Sequence, residues 1–428
     1  MKHPLLTILL SYFLFFSLAG YAKSPPSSPL PLNELQLFVN VFHQIKDKYV
    51  NEISDAELLE LAIRGMLENL DPHSDFLNQA DFQSLKNDTS GEFAGLGIEV
   101  IATKEAIKVI SPIEGTPAAK AGIKSGDLII KINQQALRTM NSRETMSLLQ
   151  GKKGSHVELT IVREGEIQPL IFKITRDTIK VKSVSSKLIT EGFGYLKIIQ
   201  FQKKTATEAK KQILTLAKKN KKPLEALIID LRNNPGGLLN SAIKLANLFI
   251  TEGIITYTAN NNNHFKEKFL ASSEQIIAGT PIVVLVNSGS ASSSEVLAGA
   301  LQDHQRAVIV GTSTFGKGSI QSIIPLQAGK AIKLTTANYF TPSGKSIQAL
   351  GVKPDIIIQQ KKITTTQKKP IFIESNYRPS SKKPKQSKDE KLIYGLQETD
   401  FQLYEAVNIA KAMSYTQNNK KIEQARID

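Results

Sequence analysis

From residue 192 onward, short apolar runs alternate with longer stretches that have helical periodicity. The apolar runs are 193–198, 226–231, 281–286 and 307–310, and the helical stretches are 207–219, 239–249 and 293–303. Parallel strands need crossover connections of a dozen or more residues, which are usually helices. The alternation therefore predicts an α/β core with a largely parallel sheet.

Three of these apolar runs are followed by segments rich in glycine and small polar residues. The segments are 232–237 (RNNPGG), 287–292 (NSGSAS) and 311–318 (GTSTFGKG). In open α/β sheets, sites form at the carboxyl ends of the strands. We therefore expect the three segments to converge on one active site.

The second segment places Ser292 at the junction between a strand and a helix. The first amides of a helix have no partner within it, so the Ser293 amide could stabilise an oxyanion formed by attack of Ser292. Gly237, which has no side chain, could bring a second amide close and complete an oxyanion hole. These parts suit a serine hydrolase that needs no histidine.

Two features of the same segment leave other interpretations open. Ser292 and Glu295 fit the capping box Ser-x-x-Glu, so the serine could act only as a helix cap. In addition, spacing alone does not exclude Ser290, Ser293 or Ser294 as the nucleophile.

Lys317, between Gly316 and Gly318, is the candidate general base. With an ordinary pKa of about 10.4, only about one lysine in two thousand is neutral at pH 7. Burial would have to lower this pKa by about three units. Gln321, four residues later, could hydrogen-bond the amine and orient it.

A phosphate-binding loop is the competing interpretation of the same segment. Gly311, Gly316 and Lys317 have the spacing of such a loop, but Gly318 stands where a Ser or Thr is needed to hold Mg²⁺. The following residues also alternate like a strand.

The six histidines show no ligand-spaced pair and the chain has no cysteine, so we expect neither a metal nor another cofactor.

Residues 83–178 change to a pattern of short strands with two helices, which predicts a small β-rich module. Within it, Gly95, Leu96, Gly97 and Ile98 form a turn that leads into a strand. The turn could present backbone amides to the terminal carboxylate of a peptide, and the strand could add the peptide to the sheet. Alternatively, the glycines only form a hairpin.

The N-terminus predicts export. A basic start, an apolar run to Leu18 and small residues at Gly20 and Ala22 are typical of a cleaved signal peptide, and the run is short for a membrane anchor. Two amphipathic helices are predicted in residues 33–82. Residues 71–74 (DPHS) end the second helix, and His73 there is assigned a structural role.

About half of the net charge of +15 lies in one segment of the chain. Residues 361–391 contain ten basic and three acidic residues in a Pro/Ser/Thr-rich context that predicts a disordered linker. This distribution argues against a nucleic-acid interface, although contact with an anionic membrane or cell-wall polymer is left open. Residues 400–413 have the periodicity of a docked C-terminal helix.

Together these residues resemble the C-terminal processing peptidases, also called tail-specific proteases, over nearly the whole mature chain. Six segments carry the resemblance, in order: 70–74 (LDPHS), 115–127 (GTPAAKAGIKSGD), 230–237 (DLRNNPGG), 287–295 (NSGSASSSE), 314–321 (TFGKGSIQ), and 339–344 (YFTPSG) with 346–348 (SIQ). One departure is Ser293, where family members often carry Ala. Because only its backbone amide would act, little effect is expected.

The resemblance implies a multi-domain α/β fold: a serine protease core with an inserted PDZ-like β module and N-terminal helices. It also implies Ser292 as nucleophile, Lys317 as general base, Gln321 as its orienting partner, and the amides of Gly237 and Ser293 as the oxyanion hole. The expected regions are a signal peptide (1–22), an N-terminal helical region (33–82), a PDZ-like domain (83–178), the protease core (179–360), the basic linker (361–391) and a helical tail (392–428).

An exported serine endopeptidase is therefore expected, in the bacterial periplasm or cell envelope and acting near the C-termini of envelope proteins. An envelope adaptor protein and a homodimer through the N-terminal helices are left open as further partners. The alternative is a non-catalytic PDZ-type scaffold with a degenerate hydrolase core. The intact Ser292, Lys317 and Gln321 argue against it.

Overall fold

The computed structural model of the protein describes residues 30–103, 106–139, 148–260, 265–272, 275–361 and 388–427. The predicted signal peptide and most of the predicted basic linker lie outside these ranges. The chain divides into two compact units, residues 1–69 and 70–428. Within the described ranges, no helix combines the length and apolar character needed to cross a bilayer.

The first unit contains two helices, α1 (Leu32–Lys48) and α2 (Asp55–Glu68). The Ser54 hydroxyl caps α2 by accepting a hydrogen bond from the Glu57 amide at 3.2 Å. None of the residues of α1 is buried, although its sequence is amphipathic.

The second unit holds all the strands that the structure describes. Its helices are α3 (Gln79–Ser90), α4 (Pro117–Ala121), α5 (Thr205–Asn220), α6 (Leu239–Ala246), α7 (Ser293–Asp303), α8 (Lys388–Thr399) and α9 (Phe401–Ile427). Its first nine strands are β1 (Asp75–Leu77), β2 (Glu92–Gly95), β3 (Ile98–Ala102), β4 (Ile107–Pro112), β5 (Leu128–Ile132), β6 (Gln135–Ala136), β7 (His156–Val162), β8 (Leu170–Thr175) and β9 (Asp177–Lys180). The others are β10 (Val184–Thr190), β11 (Phe193–Ile198), β12 (Ala226–Asp230), β13 (Ile254–Ala259), β14 (Phe265–Leu270), β15 (Ile282–Val286), β16 (Val308–Gly311), β17 (Ser319–Pro325), β18 (Ala331–Phe340) and β19 (Ile356–Ile357).

The central sheet has the strand order β10-β11-β12-β15-β16-β19, and every pair from β11 onward is parallel. Helices α5, α6 and α7 bury one face, on which Leu227 and Ile229 lie. Helices α8 and α9 bury the other, on which Ile228 lies. Burial on both faces explains why the strands are continuously apolar. The predicted α/β core is confirmed.

A second, antiparallel sheet has the order β1-β18-β13-β14, with β17 also paired to β18. It carries residues that follow the Lys317 segment, because β17 begins at Ser319. Strand β1 pairs with β18 so that Asp75 lies opposite Lys333. This sheet therefore brings residues just after the first unit close to the Lys317 region.

The β-rich module forms a third sheet in the order β3-β4-β5-β7-β8, with β6 on β5. Its core contains Leu96, Ile107, Ile129 and Leu159. Strands β2 and β9 pair as a two-stranded ribbon where the chain enters and leaves the module.

One local prediction is wrong. Short strands were expected from about residue 83, but residues 79–90 form helix α3, capped by Asn78 through its side chain. Only Phe82 and Leu85 pack inward, against Leu77 and Ala331. So short an apolar stripe on a mostly polar helix gives little periodicity to detect.

Candidate active site

Ser292 lies between β15 and α7 with a backbone conformation of φ 55° and ψ −115°. Positive φ is uncommon for residues other than glycine, and strained conformations persist where the surrounding structure holds them. A serine on such a sharp strand-to-helix turn is also typical of hydrolase nucleophiles.

The neighbouring serines are occupied by structural hydrogen bonds. The Ser290 hydroxyl donates to the Leu231 carbonyl at 2.8 Å, and the Ser294 hydroxyl donates to the Asn234 carbonyl at 2.9 Å. The Ser293 hydroxyl donates to the Gly237 carbonyl, also at 2.9 Å. These bonds leave Ser292 as the candidate nucleophile among the four serines, between which spacing alone did not choose.

The Ser292 side chain lies against the buried Tyr339. Burial raises the pKa of the Tyr339 phenol to about 12, and a hydrogen bond with the Ser292 side chain opposes this increase. Tyr339 packs in a small apolar cluster with Val296 and Ile347. The phenol is therefore held in place beside the candidate nucleophile.

Gly237 and Ser293 are in direct contact, because the Ser293 hydroxyl donates a hydrogen bond to the Gly237 carbonyl. Among the described residues, neither of their backbone amides donates to another protein group. A Cβ atom on Gly236 would lie 2.8 Å from the Cβ of Ser292, and one on Gly237 would overlap the Phe201 carbonyl. The glycine pair thus allows the loop to approach Ser292, leaving two open amides beside it for an oxyanion.

The start of this loop is anchored by a partly buried ion-pair cluster. The Arg232 guanidinium donates to both carboxylate oxygens of Asp400, each at 2.7 Å, and at 2.7 and 3.0 Å to those of Asp230. Asp230 also accepts the Tyr195 hydroxyl at 2.8 Å. Helix α9, which follows Asp400, therefore helps to hold the segment that leads to Gly237.

Glu295 joins the serine segment to the lysine segment. This fully buried carboxylate accepts the amides of Ser292 (2.7 Å) and Lys317 (2.9 Å) on one oxygen. Its other oxygen accepts the Gly316 amide at 2.7 Å and the Thr314 hydroxyl at 2.5 Å. The Ser-x-x-Glu pattern does cap α7, but the same carboxylate also fixes the Lys317 backbone beside that of Ser292.

The geometry of Glu295 argues against the phosphate-loop interpretation. An anion cradle needs backbone amides that point at the ligand. Here the Gly316 and Lys317 amides point at a carboxylate instead. The chain then enters strand β17 and not a helix.

Lys317 is half-buried. Burial lowers the pKa of its amine, Lys333 lowers it further, and Asp71 opposes the shift. This direction is the one that a general base requires. In the described residues, the Lys317 and Ser292 side chains are not hydrogen-bonded to each other; such contacts are often long before substrate binds.

Gln321 lies on β17, where its side-chain nitrogen donates to the hydroxyls of Ser319 (3.0 Å) and Thr335 (3.2 Å). No bond between Gln321 and Lys317 is seen among the described residues. Its orienting role therefore stays a prediction.

The β-rich module offers two features for peptide binding. The carbonyl of Leu96 accepts the Ala118 amide (3.0 Å), and that of Gly97 accepts the Ile113 amide (2.8 Å). The amides of Leu96 and Gly97 have no acceptor in the described part of the chain. Ile98 opens β3, which among the described strands pairs only with β4 and leaves one edge for an added strand. Gly95 ends β2, the ribbon strand that precedes this turn.

Comparison with known proteins agrees with this architecture. The family model described as Peptidase family S41 matches residues 192–358, a PDZ domain model matches residues 94–174, and the model of the activating protease CtpB N-terminal domain matches residues 20–81. A carboxy-terminal-processing protease of Bartonella bacilliformis is 44% identical over 329 residues, which are 76% of this chain and 75% of the relative.

The chain belongs to the C-terminal processing peptidases of family S41. A carboxy-terminal processing protease of Bacillus subtilis is 38% identical over 316 residues, 74% of this chain and 67% of the relative. Among solved structures, a photosystem II D1 C-terminal processing protease is 30% identical, with a TM-score of 0.47 over 76% of this chain and 93% of the other. The predicted family, its serine-type peptidase activity and the PDZ domain are thus confirmed.

Residues 71–74 of this peptidase lie beside the Gln321 and Lys317 region, which the residue patterns did not predict. The Asp71 carboxylate accepts the Thr335 hydroxyl at 3.1 Å, and Thr335 in turn contacts Gln321. Burial lowers the pKa of the His73 imidazole, and the charge of Lys317 lowers it further. The effect of that charge places His73 near Lys317. The only signal in the sequence was the DPHS segment within the family resemblance.

Proposed function

We propose that this peptidase is exported and cleaves cell-envelope proteins near their C-termini with a Ser292–Lys317 dyad. The observation that carries the dyad is the arrangement at the start of α7. Ser292 is strained there, its serine neighbours are occupied, and Glu295 ties its backbone to that of Lys317. The signal-peptide pattern in the sequence supports export.

In this mechanism the neutral amine of Lys317 takes the proton of the Ser292 hydroxyl as the oxygen attacks the scissile carbonyl. The amides of Gly237 and Ser293 stabilise the oxyanion of the tetrahedral intermediate. The Lys317 ammonium then gives its proton to the leaving amine, and an acyl-enzyme on Ser292 remains. Water deprotonated by Lys317 hydrolyses this ester and frees the enzyme.

A fluorophosphonate probe tests the assignment of the nucleophile. We expect covalent modification to map by peptide mass analysis to Ser292 and not to Ser290, Ser293 or Ser294. Replacing Lys317 with methionine should slow modification, because the hydroxyl loses its base. Modification at another serine, or an unchanged rate in the Lys317 variant, would show that the dyad is wrong.

Recognition of substrate C-termini is proposed to involve the open amides at Leu96 and Gly97 and the edge of β3. The terminal carboxylate would accept hydrogen bonds from the amides while the preceding residues extend the sheet.

We expect an unfolded peptide with an apolar tail and a free C-terminal carboxylate to be cleaved with a KM about tenfold below that of its C-terminal amide. Hydrogen bonds to a charged group, worth about 1.5–3 kcal/mol, account for this difference. Steady-state kinetics on the two peptides measures it, and a shared kcat serves as the internal control. Equal KM values would rule out carboxylate recognition.

The N-terminal helices support the proposal of a homodimer, because α1 exposes Leu37, Val39 and Val41, each by about half or more. An envelope adaptor protein remains a second proposed partner. Sedimentation of the peptidase with Val41→Lys in α1 would test the dimer, which should dissociate if this helix forms the interface.

A further inference from the structure

The side-chain amide of Gln321 is held on one side only. Its nitrogen donates to the hydroxyl oxygens of Ser319 and Thr335. No donor to its carbonyl oxygen is seen in the described part of the chain. An amide that is fixed through its nitrogen presents its oxygen in the opposite direction.

The hydrogen bond from Thr335 to Asp71 determines which end of the Gln321 amide can face Thr335. Its hydroxyl donates its single proton to Asp71 at 3.1 Å, because a carboxylate can only accept. Only lone pairs then remain on the Thr335 oxygen, so Gln321 must turn its nitrogen, and not its carbonyl oxygen, toward Thr335.

Asp71 is built to remain an ionised acceptor. Burial raises the pKa of its carboxyl, but hydrogen bonds from Ser74, His73 and Thr335 outweigh that effect and hold the pKa below its ordinary value. The Ser74 hydroxyl donates to Asp71 at 2.6 Å and accepts the Thr335 amide at 3.1 Å. The DPHS turn is thereby fastened to β18.

We propose that Asp71 and Thr335 are positioning residues that orient the Gln321 amide so that its carbonyl oxygen is available to the Lys317 ammonium. The ammonium forms during acylation, and a fixed acceptor stabilises it without reorganisation. This inference rests on the proposed role of Gln321 as the partner of Lys317. It gives residues 71–74, which precede the PDZ domain in sequence, a function in the protease core.

The test compares Thr335→Val with Thr335→Ser in steady-state cleavage of the unfolded peptide with the apolar tail. Valine keeps the shape but removes the hydroxyl, so we expect kcat to fall about tenfold with little change in KM, as for loss of a hydrogen bond that acts in the transition state. Serine keeps the hydroxyl and should restore most of the activity. An unchanged kcat in Thr335→Val would overturn the proposal.

Thr336→Val is the matched control. Thr336 is the next residue on β18, and its hydroxyl pairs with that of Ser322 at 2.7 Å instead of with Gln321. It should lose a similar amount of thermal stability but keep kcat. If Thr336→Val lowers kcat as much as Thr335→Val, the effect is a general one of the strand and the proposal is wrong.

A double-mutant cycle separates the Asp71–Thr335–Gln321 hydrogen-bond chain, called the relay below, from the proposed function. In a Gln321→Ala background, Thr335→Val should cause no further loss, because Thr335 acts through Gln321. An undiminished loss there would overturn the relay. Wild-type activity in Gln321→Ala alone would instead disprove the role of Gln321 in the proposed function. Loss in Gln321→Ala with full activity in Thr335→Val would overturn the relay alone.

Asp71→Ala gives an independent check on the role of Asp71. Alanine has no acceptor for the Thr335 hydroxyl, whose proton then becomes free to face the Gln321 carbonyl oxygen. We expect a loss of kcat similar to that of Thr335→Val. A variant with wild-type kcat would contradict the orientation argument.

Discussion

Lys317→Met should lower kcat by about 10³-fold or more while the protein stays folded. A general base contributes about 10²–10⁴-fold, and Lys317 would act in both acylation and deacylation. Methionine keeps most of the length of the side chain, and its apolar character suits the half-buried position. Cleavage of the unfolded peptide measures kcat, with Ser292→Ala as the reference for full loss. A Lys317→Met enzyme within tenfold of wild type would exclude lysine as the base.

The dependence of kcat/KM on pH in the wild-type enzyme should reveal the titration of Lys317. Only the neutral amine is a base, so kcat/KM should rise with pH as Lys317 loses its proton. Because burial and Lys333 lower the pKa of Lys317, this rise should occur below the range of an ordinary lysine, whose pKa is 10.5. Activity should correspondingly fall as pH drops through the lowered pKa.

Lys333→Gln removes the nearby positive charge and should move the rise to higher pH. Asp71 and His73 also face Lys317, and both remain in this variant. Lys353→Gln, at an exposed position, is the control and should leave the profile in place. A shift of the Lys333→Gln profile to lower pH would contradict the electrostatic explanation.

Glu295→Ala should lower both stability and activity. The substitution leaves the amides of Ser292, Gly316 and Lys317 buried without the acceptor that they share. Each unsatisfied buried donor costs about 1–3 kcal/mol, so we expect the free energy of unfolding to fall by about 3–5 kcal/mol. With the two segments no longer joined, kcat should fall at least about 10²-fold.

Glu295→Gln separates packing from hydrogen bonding, since the two side chains have nearly the same shape. An amide offers only one acceptor oxygen, and in either orientation its NH₂ group would face at least one backbone N–H that the carboxylate accepts. We expect a large loss of kcat here too, measured beside urea unfolding, with the exposed Glu252→Gln as the control. Wild-type kcat in Glu295→Gln would show that the carboxylate is not needed to join the segments.

The parts of the site that could be predicted are those with a local signal. Ser292 stands where an apolar run meets a capping pattern, and α7 begins and ends at the predicted residues, Ser293 and Asp303. The convergence of three strand ends follows from the rules of parallel sheets. The choice among four serines did not follow, because the bonds that occupy Ser290, Ser293 and Ser294 reach the segment at residues 231–237.

Helix α3 shows the opposite case. Its core contact depends on Ala331, roughly 250 residues away, and not on its own apolar pattern. A short polar helix that is stabilised by distant packing gives a weak signal to a search for periodicity.

By itself the sequence of this peptidase determined the strand–helix alternation, the helix start at Ser293 and the family, because these depend on residue types at short, fixed spacings. Only the tertiary structure decided that Glu295 joins Ser292 to Lys317, and that Asp71 reaches Gln321 through Thr335. These bonds join segments about 20 to 260 residues apart. The physical reason is that a carboxylate inside the folded chain accepts hydrogen bonds from the donors that folding brings next to it, and no local spacing encodes which donors these are.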